Sequence, residues 1–199
     1  MSNFIKNGAI ATDTWQTVRL PVVEEAVRKQ AGKVVLFKLT GAESATPEQI
    51  AQTELPAGRI IVPLPVWRAR QDELASRVAA GEIGVWIDTH ELLDTLVDTL
   101  PDLNVLPVIG VHVERFADGR NFSIATLLRT RHGYKNELRV FGDVLRDQMF
   151  FYKRCGFDAY LVRADRSAEE ALRGLTDFTD PYQGAVDDPQ PLWRRHARA

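Results

Sequence analysis

Short β-rich runs alternate with amphipathic segments from Arg59 onward, and this alternation constrains the fold more than any other feature of the sequence. Such alternation is typical of repeated strand–helix units, in which helices cover a parallel sheet. The sequence therefore predicts an α/β fold with a largely parallel sheet of about five strand–helix units. Its strands are predicted at residues 60–64, 83–87, 108–113, 138–141 and 159–162.

These units are too few to close an eight-stranded barrel, so two architectures remain: a partial (β/α)-barrel-like sheet and an open doubly wound sheet. In both, ligands bind beyond the carboxyl ends of the strands, where the loops into the helices gather. These loops are therefore where we expect functional residues. Helix starts are indicated by N-cap residues, namely Asp88 with Glu91, Ser123, Asp143, and Ser167 with Glu170.

The N-terminal part of the chain predicts a small β hairpin. Asn7 and Gly8 tolerate the positive φ angles of a tight turn, and short apolar pairs flank them. A further strand is indicated within residues 15–20, an apolar run follows at residues 34–39, and Thr46 begins a short capped helix.

The length of the chain favours one domain. We expect a single α/β domain over residues 1–180, with the hairpin inside residues 1–20. Proline and glycine become frequent after residue 180, so residues 181–199 are expected to form an extended tail.

Charge and cysteine content argue against several classes of protein. The 199 residues include 25 Lys and Arg against 27 Asp and Glu, a net charge of −2, so general nucleic-acid binding is not expected. A single cysteine, Cys155, cannot form an internal disulfide and fits a reducing compartment. No stretch approaches the ~20 apolar residues of a membrane span, and residues 1–16 lack the pattern of a secretion signal. The expected location is the cytoplasm, with no membrane partner.

The segment from Phe116 to Ser123 carries the clearest signal for an anion-binding site. Asp118 and Gly119 predict a turn that places Arg120 next to a helix start at Ser123. Backbone N–H groups and the positive end of the dipole at such a start favour an oxyanion, and the arginine adds charge-assisted hydrogen bonds. The alternative is an ordinary Asp-Gly turn with a solvated Arg120, and the short spacing alone favours that alternative.

Two carboxylates after the fourth predicted strand are candidate catalytic groups. Asp143 and Asp147 are expected one helical turn apart on the same face, with Arg146 beside them as a further anion-binding residue. A carboxylate pair at the mouth of a site divides acid and base roles when its surroundings separate the two pKa values. The alternative is a capped helix with an exposed ion pair.

Two histidines near neighbouring strand ends raise the question of a metal site. His90 follows Asp88 by two residues, and His112 precedes Glu114 by two, so each pair points to one side of an extended strand. No third ligand completes a zinc motif, so no metal site is predicted. Cys155 is interpreted as a small buried hydrophobe, and no phosphate, nucleotide or cluster motif indicates a cofactor.

Four stretches of the sequence together resemble a known bacterial family, the domain of unknown function family 934. They are residues 116–123, 127–129, 137–148 and 153–159. The resemblance is strongest over residues 105–165 and continues more weakly from Trp15. It implies a protein encoded beside assimilatory sulfite reductase and often labelled an oxidoreductase of sulfite reduction, but it brings no established catalytic residue.

Two functions follow from the resemblance and from the polar residues expected at the rim, the edge of the sheet where the carboxyl ends of the strands meet the loops into the helices. The first is an accessory protein of assimilatory sulfate and sulfite reduction, non-catalytic or binding a small anion, with sulfite reductase or its electron donor as partner. The second is a small-molecule enzyme that binds a sulfur oxyanion or a phosphorylated metabolite at the carboxyl-end rim. Absence of a redox motif favours the first, and the convergent arginines and carboxylates favour the second.

Overall fold

One eight-stranded sheet organises the protein in the computed structural model, which describes residues 3–20 and 45–195. Its strands are β1 (Phe4–Lys6), β2 (Ala9–Ile10), β3 (Gln16–Thr17), β4 (Ile60–Pro63), β5 (Ile83–Asp88), β6 (Val108–Val113), β7 (Glu137–Gly142) and β8 (Ala159–Leu161). Strands β3 to β8 lie side by side in chain order and pair in parallel. The hairpin of β1 and β2 adds to the edge of β8 in the antiparallel direction. The predicted α/β class with a mostly parallel sheet is confirmed.

The main apolar core lies between one face of this sheet and the helices. Side chains alternate between faces along a strand, so Val62, Val85, Val111 and Val140 point the same way, and all four are fully buried in this core. A sheet with its strands in chain order and its core on one face corresponds to the partial-barrel alternative, because a doubly wound sheet reverses its strand order.

The helices are α1 (Pro47–Ala51), α2 (Leu64–Ala69), α3 (Gln71–Ala79), α4 (Leu93–Val97), α5 (Arg120–Thr130), α6 (Met149–Arg154), α7 (Ala168–Gly174) and α8 (Leu192–Arg195), with 3-10 turns at Leu103–Val105 and Arg146–Gln148.

A short connection requires the sheet to curl. Residues 11–15, which we call the strap, connect β2 at one edge of the sheet to β3 at the other edge. The six peptide steps from Ile10 to Gln16 reach at most ~22 Å, whereas eight flat strands side by side would measure ~34 Å across. The sheet therefore forms a curled half-barrel, and the strap crosses its open side.

The inner face of the half-barrel holds an ion-pair network beneath the strap. Arg139 on β7 is fully buried, and its guanidinium contacts the Asp13 carboxylate of the strap at 2.8 and 3.0 Å. The same guanidinium lies 2.7 Å from Glu137, whose other oxygen binds Lys6 at 2.7 Å. The ring centroid of Phe4 lies 4.4 Å from the guanidinium carbon. Two cations thus face two anions, and the network joins hairpin, strap and β7 without burying an unpaired charge.

Turn and cap chemistry explains several element boundaries. Asn7 and Gly8 have φ angles of 49° and 76°, as the predicted hairpin turn requires. Thr46 forms a complete capping box with Gln49, and the Ser167 hydroxyl accepts a backbone N–H in the first turn of α7. These three predictions are confirmed.

Other segments differ from the prediction, or the structure leaves the prediction for them untested. The strand predicted within residues 15–20 is shorter, Gln16–Thr17, and the apolar run at residues 34–39 falls outside the described residues. Within the described ranges, no helix combines the length and apolar character needed to cross a membrane. The segment after residue 180 contacts α6, where Asp187 binds the buried Arg154 at 2.9 Å; the domain boundary near residue 180 stays a prediction.

Candidate active site

Asp88 at the carboxyl end of β5 holds two histidines, one through each carboxylate oxygen. The Nδ1 atom of His90 lies 2.9 Å from one oxygen, and the Nδ1 atom of His112 lies 2.9 Å from the other. Asp88 and His112 are register partners in the β5–β6 pairing, and the turn after β5 brings His90 back onto the carboxylate. Between 15% and 29% of each side chain is exposed. The cluster is therefore sheltered and still open to solvent.

Aromatic rings line one side of His112. Its ring centroid lies 5.6 Å from that of Trp86 and 5.1 Å from that of Phe141. Gly110 leaves the space for this arrangement, because a Cβ there would lie 3.0 Å from the Trp86 Cβ and 3.1 Å from the Phe141 ring. The guanidinium carbon of Arg19 lies 5.7 Å from the Phe141 ring centroid. Water is thereby excluded from one side of the imidazole.

Burial and hydrogen bonding act in opposite directions on the Asp88 carboxylate. Burial would raise its pKa, but the hydrogen bonds and charges of His112 and His90 outweigh burial, so the pKa of Asp88 is lowered. For Glu91, burial raises the pKa, although the carboxylate accepts the Asp88 backbone N–H at 2.8 Å. Neighbouring carboxyls whose pKa values move in opposite directions are a feature of acid–base sites.

The carboxylate determines which ring nitrogen of each histidine is available. An anionic carboxylate accepts a hydrogen bond, so each Nδ1 carries a proton, and in the neutral imidazole Nε2 keeps its lone pair. Over residues 3–20 and 45–195, no group bonds to Nε2 of either His90 or His112. As far as the described residues are concerned, both Nε2 atoms are therefore available to exchange a proton with a bound molecule.

Arg120 is fixed near this cluster through Asp118. Its guanidinium donates to the Asp118 carboxylate at 2.7 and 2.9 Å, and the same carboxylate accepts the Thr89 hydroxyl at 2.5 Å. The Arg120 guanidinium is the main reason why the pKa of Asp118 lies well below its usual value. The Arg120 side chain stays 55% exposed, and its Nη1 bonds to none of the described residues. An arginine fixed on one edge with free N–H groups on the other suits an anionic ligand.

The helix start predicted at Ser123 is wrong. Helix α5 begins three residues earlier, at Arg120, because the Asp118 side chain accepts the Arg120 backbone N–H at 3.1 Å and Gly119 takes the N-cap position. Ser123 is an exposed residue of the first helical turn. Asp118 thus binds one side of the Arg120 guanidinium within the predicted oxyanion pocket. An incoming anion would contact the other side of the guanidinium, which carries Nη1.

The helix start predicted at Asp143 is also wrong, so Asp143 and Asp147 are not one turn apart on a helix. Asp143 lies in the loop after β7, where its two oxygens accept the Phe116 N–H at 2.9 Å and an Arg163 N–H at 2.7 Å. The next residue, Val144, is fully buried, and anchoring it in the core delays the helix. Asp143 connects three loops, and the structure does not bring it into the predicted pair.

Asp147 and Arg146 belong to the 3-10 turn Arg146–Gln148, ahead of α6. Asp147 is exposed, and Arg146 binds Asp177 at 2.7 Å. The two residues therefore lie on the α6 side of the rim, while the histidine cluster lies at the ends of β5 and β6.

The third predicted start, a capping box at Asp88 and Glu91, is wrong in the same way. The Glu91 side chain does accept the Asp88 N–H, but the Asp88 carboxylate binds histidines, and α4 begins only at Leu93. A side chain that has found partners on another strand is no longer available to start a helix.

The sequence also paired His112 with the wrong carboxylate. Glu114 is exposed and lies 4.0 Å from Arg115, while parallel pairing places Asp88 opposite His112. The useful signal was that Asp88 directly follows one predicted strand and His112 is the next-to-last residue of the next predicted strand.

The placement of the His, Cys, Asp and Glu side chains bears on metal binding and on thiol reactivity. In the part of the chain that the structure describes, no group of three His, Cys, Asp or Glu side chains is placed to hold a metal ion. Both Nδ1 atoms of the cluster point at the Asp88 carboxylate instead. Cys155 ends α6 and is 8% exposed, and burial raises the pKa of its thiol, which disfavours the reactive thiolate.

A family model described as a bacterial protein of unknown function, DUF934, matches residues 84–193. This range is more than half of the chain and includes Asp88, His90, His112 and Arg120. No curated protein and no solved structure matches the chain. The family description carries no activity.

Proposed function

We propose that this chain, which belongs to the bacterial family of unknown function DUF934, binds a small anionic molecule at the carboxyl ends of β5 and β6 and transfers a proton to or from it. His112 is the proposed acid–base group, Asp88 orients it, and Arg120 binds the anion. One observation carries the proposal: two imidazoles share the Asp88 carboxylate, and no described residue bonds to the Nε2 atom of either ring.

The chemistry of a carboxylate–imidazole pair supports this role. The carboxylate fixes the tautomer and orientation of the ring and stabilises the imidazolium that forms when Nε2 takes a proton. The aromatic wall of Trp86 and Phe141 strengthens these electrostatic interactions by excluding water. His90 offers a second Nε2 on the same carboxylate, so acid and base roles are available within one cluster.

The position of the cluster supports the proposal independently. In parallel α/β sheets and barrels, substrates bind beyond the carboxyl ends of the strands. Asp88 is the last residue of β5, and His112 is the next-to-last residue of β6. Arg120 follows the loop after β6 and is tied through Asp118 to Thr89, the neighbour of Asp88.

The acid–base role is tested with variants that remove one group each. His112→Gln and Asp88→Asn are compared with the wild type and with two variants outside the site, His132→Gln and Asp94→Asn. ¹H NMR in D₂O follows a defined mixture of small carboxylate and phosphate metabolites for conversion or for exchange of carbon-bound protons. We expect conversion by the wild type and controls and a rate loss of ~10²- to 10⁴-fold in the site variants. No conversion by the wild type, or equal rates in the site variants, would reject the role.

The anion-binding role of Arg120 has its own test. Arg115→Ala is the matched control, because Arg115 is an exposed arginine of the same loop, and Glu114 is the one carboxylate among the described residues that it approaches. Calorimetric titration with sulfite, sulfate and inorganic phosphate is expected to show binding that Arg120→Ala weakens about tenfold or more and that Arg115→Ala leaves unchanged. The anion-binding role of Arg120 is excluded if no anion binds to the wild type, or if both variants lose the same amount of anion affinity.

A second candidate, an accessory protein that docks on sulfite reductase or its electron donor, is favoured by exposed aromatic side chains on the rim side of α5 and α6. Phe116 is 41% exposed and Phe151 is 54% exposed, and the Phe151 ring meets the Phe122 ring edge to face, with 4.6 Å between centroids. The link to sulfite reduction rests on the family resemblance and stays a proposal.

A genetic experiment separates these candidates. Deletion of the gene is expected to leave growth on sulfide and to impair growth on sulfite if the protein acts at the reduction step. Complementation with Asp88→Asn and with Phe151→Ser then separates the roles: failure of Asp88→Asn alone supports the enzyme, and failure of Phe151→Ser alone supports docking. Normal growth of the deletion strain on sulfite would remove the link to sulfite reduction.

A further inference from the structure

A cavity of about 570 Å³ lies at the opposite end of the sheet from Asp88. It opens between the hairpin turn at Asn7 and Gly8, the end of α6 and the end of α7. Asp158, which precedes β8, lines it, so the cavity lies at the amino ends of the parallel strands. It is therefore separate from the proposed acid–base site, and a ligand there does not depend on that proposal.

The floor of the cavity is apolar. Phe157, Tyr160 and Leu175 line it and are only 2% to 5% exposed, and the partly buried Leu172 completes the surface. The Tyr160 hydroxyl donates to the Phe157 carbonyl at 2.7 Å, so the aromatic floor presents no unpaired polar atom from this residue. Such a floor favours an apolar body, and the volume is that of small-molecule sites, ~300–1,000 Å³.

Two cations, Lys153 and Arg173, line the cavity together with this floor. Across the described residues, neither Lys153 nor Arg173 forms an ion pair. The carboxylate in the lining, Asp158, already accepts the Leu138 N–H at 2.8 Å and an Arg129 N–H at 2.8 Å. Among the described residues that line the cavity, the charge left without a partner is therefore positive.

We infer that this cavity binds a small amphipathic anion, such as an aromatic or branched-chain carboxylate or sulfonate. The apolar body lies on Phe157 and Tyr160, and the acid group meets Lys153 and Arg173. An inorganic anion gains only the weak attraction of solvent-exposed cations, so the apolar body supplies most of the selectivity. Because the cavity joins the hairpin to α6 and α7, occupancy stabilises the closed half-barrel by mass action.

The test uses 8-anilinonaphthalene-1-sulfonate, a fluorescent aromatic sulfonate, as the probe. We expect saturable binding at one site on the folded wild type, competition by phenylacetate, and no competition by inorganic phosphate at equal ionic strength. The double variant Lys153→Gln/Arg173→Gln is expected to bind about tenfold more weakly or worse. The control Arg131→Gln/Lys135→Gln has the same change in net charge away from the cavity and is expected to bind normally.

A second variant keeps the test decisive if loss of two helix-end cations weakens the fold. Thr176→Phe fills the cavity and leaves both charges in place, and we expect it to abolish probe binding while the melting temperature stays near that of the wild type. Wild-type affinity in Thr176→Phe, equal affinity in both charge variants, or effective competition by phosphate would each overturn the inference.

Discussion

At the scale of single residues, Gly142 connects backbone geometry to the histidine cluster. Its φ is +107°, and an added Cβ would press on the Val113 carbonyl oxygen and lie 3.0 Å from the His112 ring. We expect Gly142→Ala to lower the free energy of unfolding by ~2–4 kcal/mol in urea denaturation. Gly133→Ala is the matched control, with φ of +61° and nothing within 4 Å of the new Cβ; its expected cost is ~1 kcal/mol. Equal costs would show that the contacts of Gly142 do not matter.

Asp118 gives a prediction about pH. Because Arg120 and Thr89 lower its pKa in the folded protein from 3.8, its contribution to stability is present above pH 3.8 and is lost as the pH falls below that value. At pH 7 the free energy of unfolding of the wild type is expected to be ~1–2 kcal/mol larger than that of Asp118→Asn. The difference is small because solvent screens the charge of Arg120. Urea denaturation from pH 7 downward measures the difference, and a gap that persists at the lowest pH would contradict it.

At the scale of elements, two serines that look alike in the sequence have different roles. Ser167 caps α7, whereas Ser123 is an exposed residue inside α5. Ser167→Ala is therefore expected to cost ~1 kcal/mol of stability, and Ser123→Ala is expected to be neutral or to gain up to ~0.5 kcal/mol, since alanine is the better helix former. Thermal unfolding of both variants measures these changes in stability. A loss of stability in Ser123→Ala would indicate that Ser123 caps a helix after all.

Strands and turns were predictable because their signals are local. The apolar runs of β4 to β8 and the Asn7-Gly8 turn depend on residues next to one another in the chain. The start of α6 was not predictable, because Asp143 is engaged by a partner distant in sequence, Arg163. The start of α5 depends on the local bond from the Arg120 N–H to Asp118, a signal that the prediction of Ser123 as N-cap overlooked. The pairing of His112 with Asp88 depends on strand register, which no single segment of the sequence contains.

At the scale of the whole molecule, the network beneath the strap makes closure of the half-barrel depend on one arginine. Removing Arg139 leaves the carboxylates of Asp13 and Glu137 without their shared cation inside the molecule. We expect Arg139→Leu to lower the free energy of unfolding by ~3–5 kcal/mol, the usual cost of breaking a buried ion pair from one side. Arg131→Leu, an exposed control, is expected to change it by less than ~0.5 kcal/mol. A small loss at Arg139 would mean that the strap is held by its backbone alone.

The pairing of β1 with β8 affects how the protein is made on the ribosome. Ile5 is translated more than 150 residues before its partner Tyr160. At ~5–20 residues per second, an apolar strand waits roughly 8–30 s for the edge it joins. During that interval a nascent chain presents Ile5 to chaperones, and a polypeptide released before Ala159 has no strand for the hairpin to join.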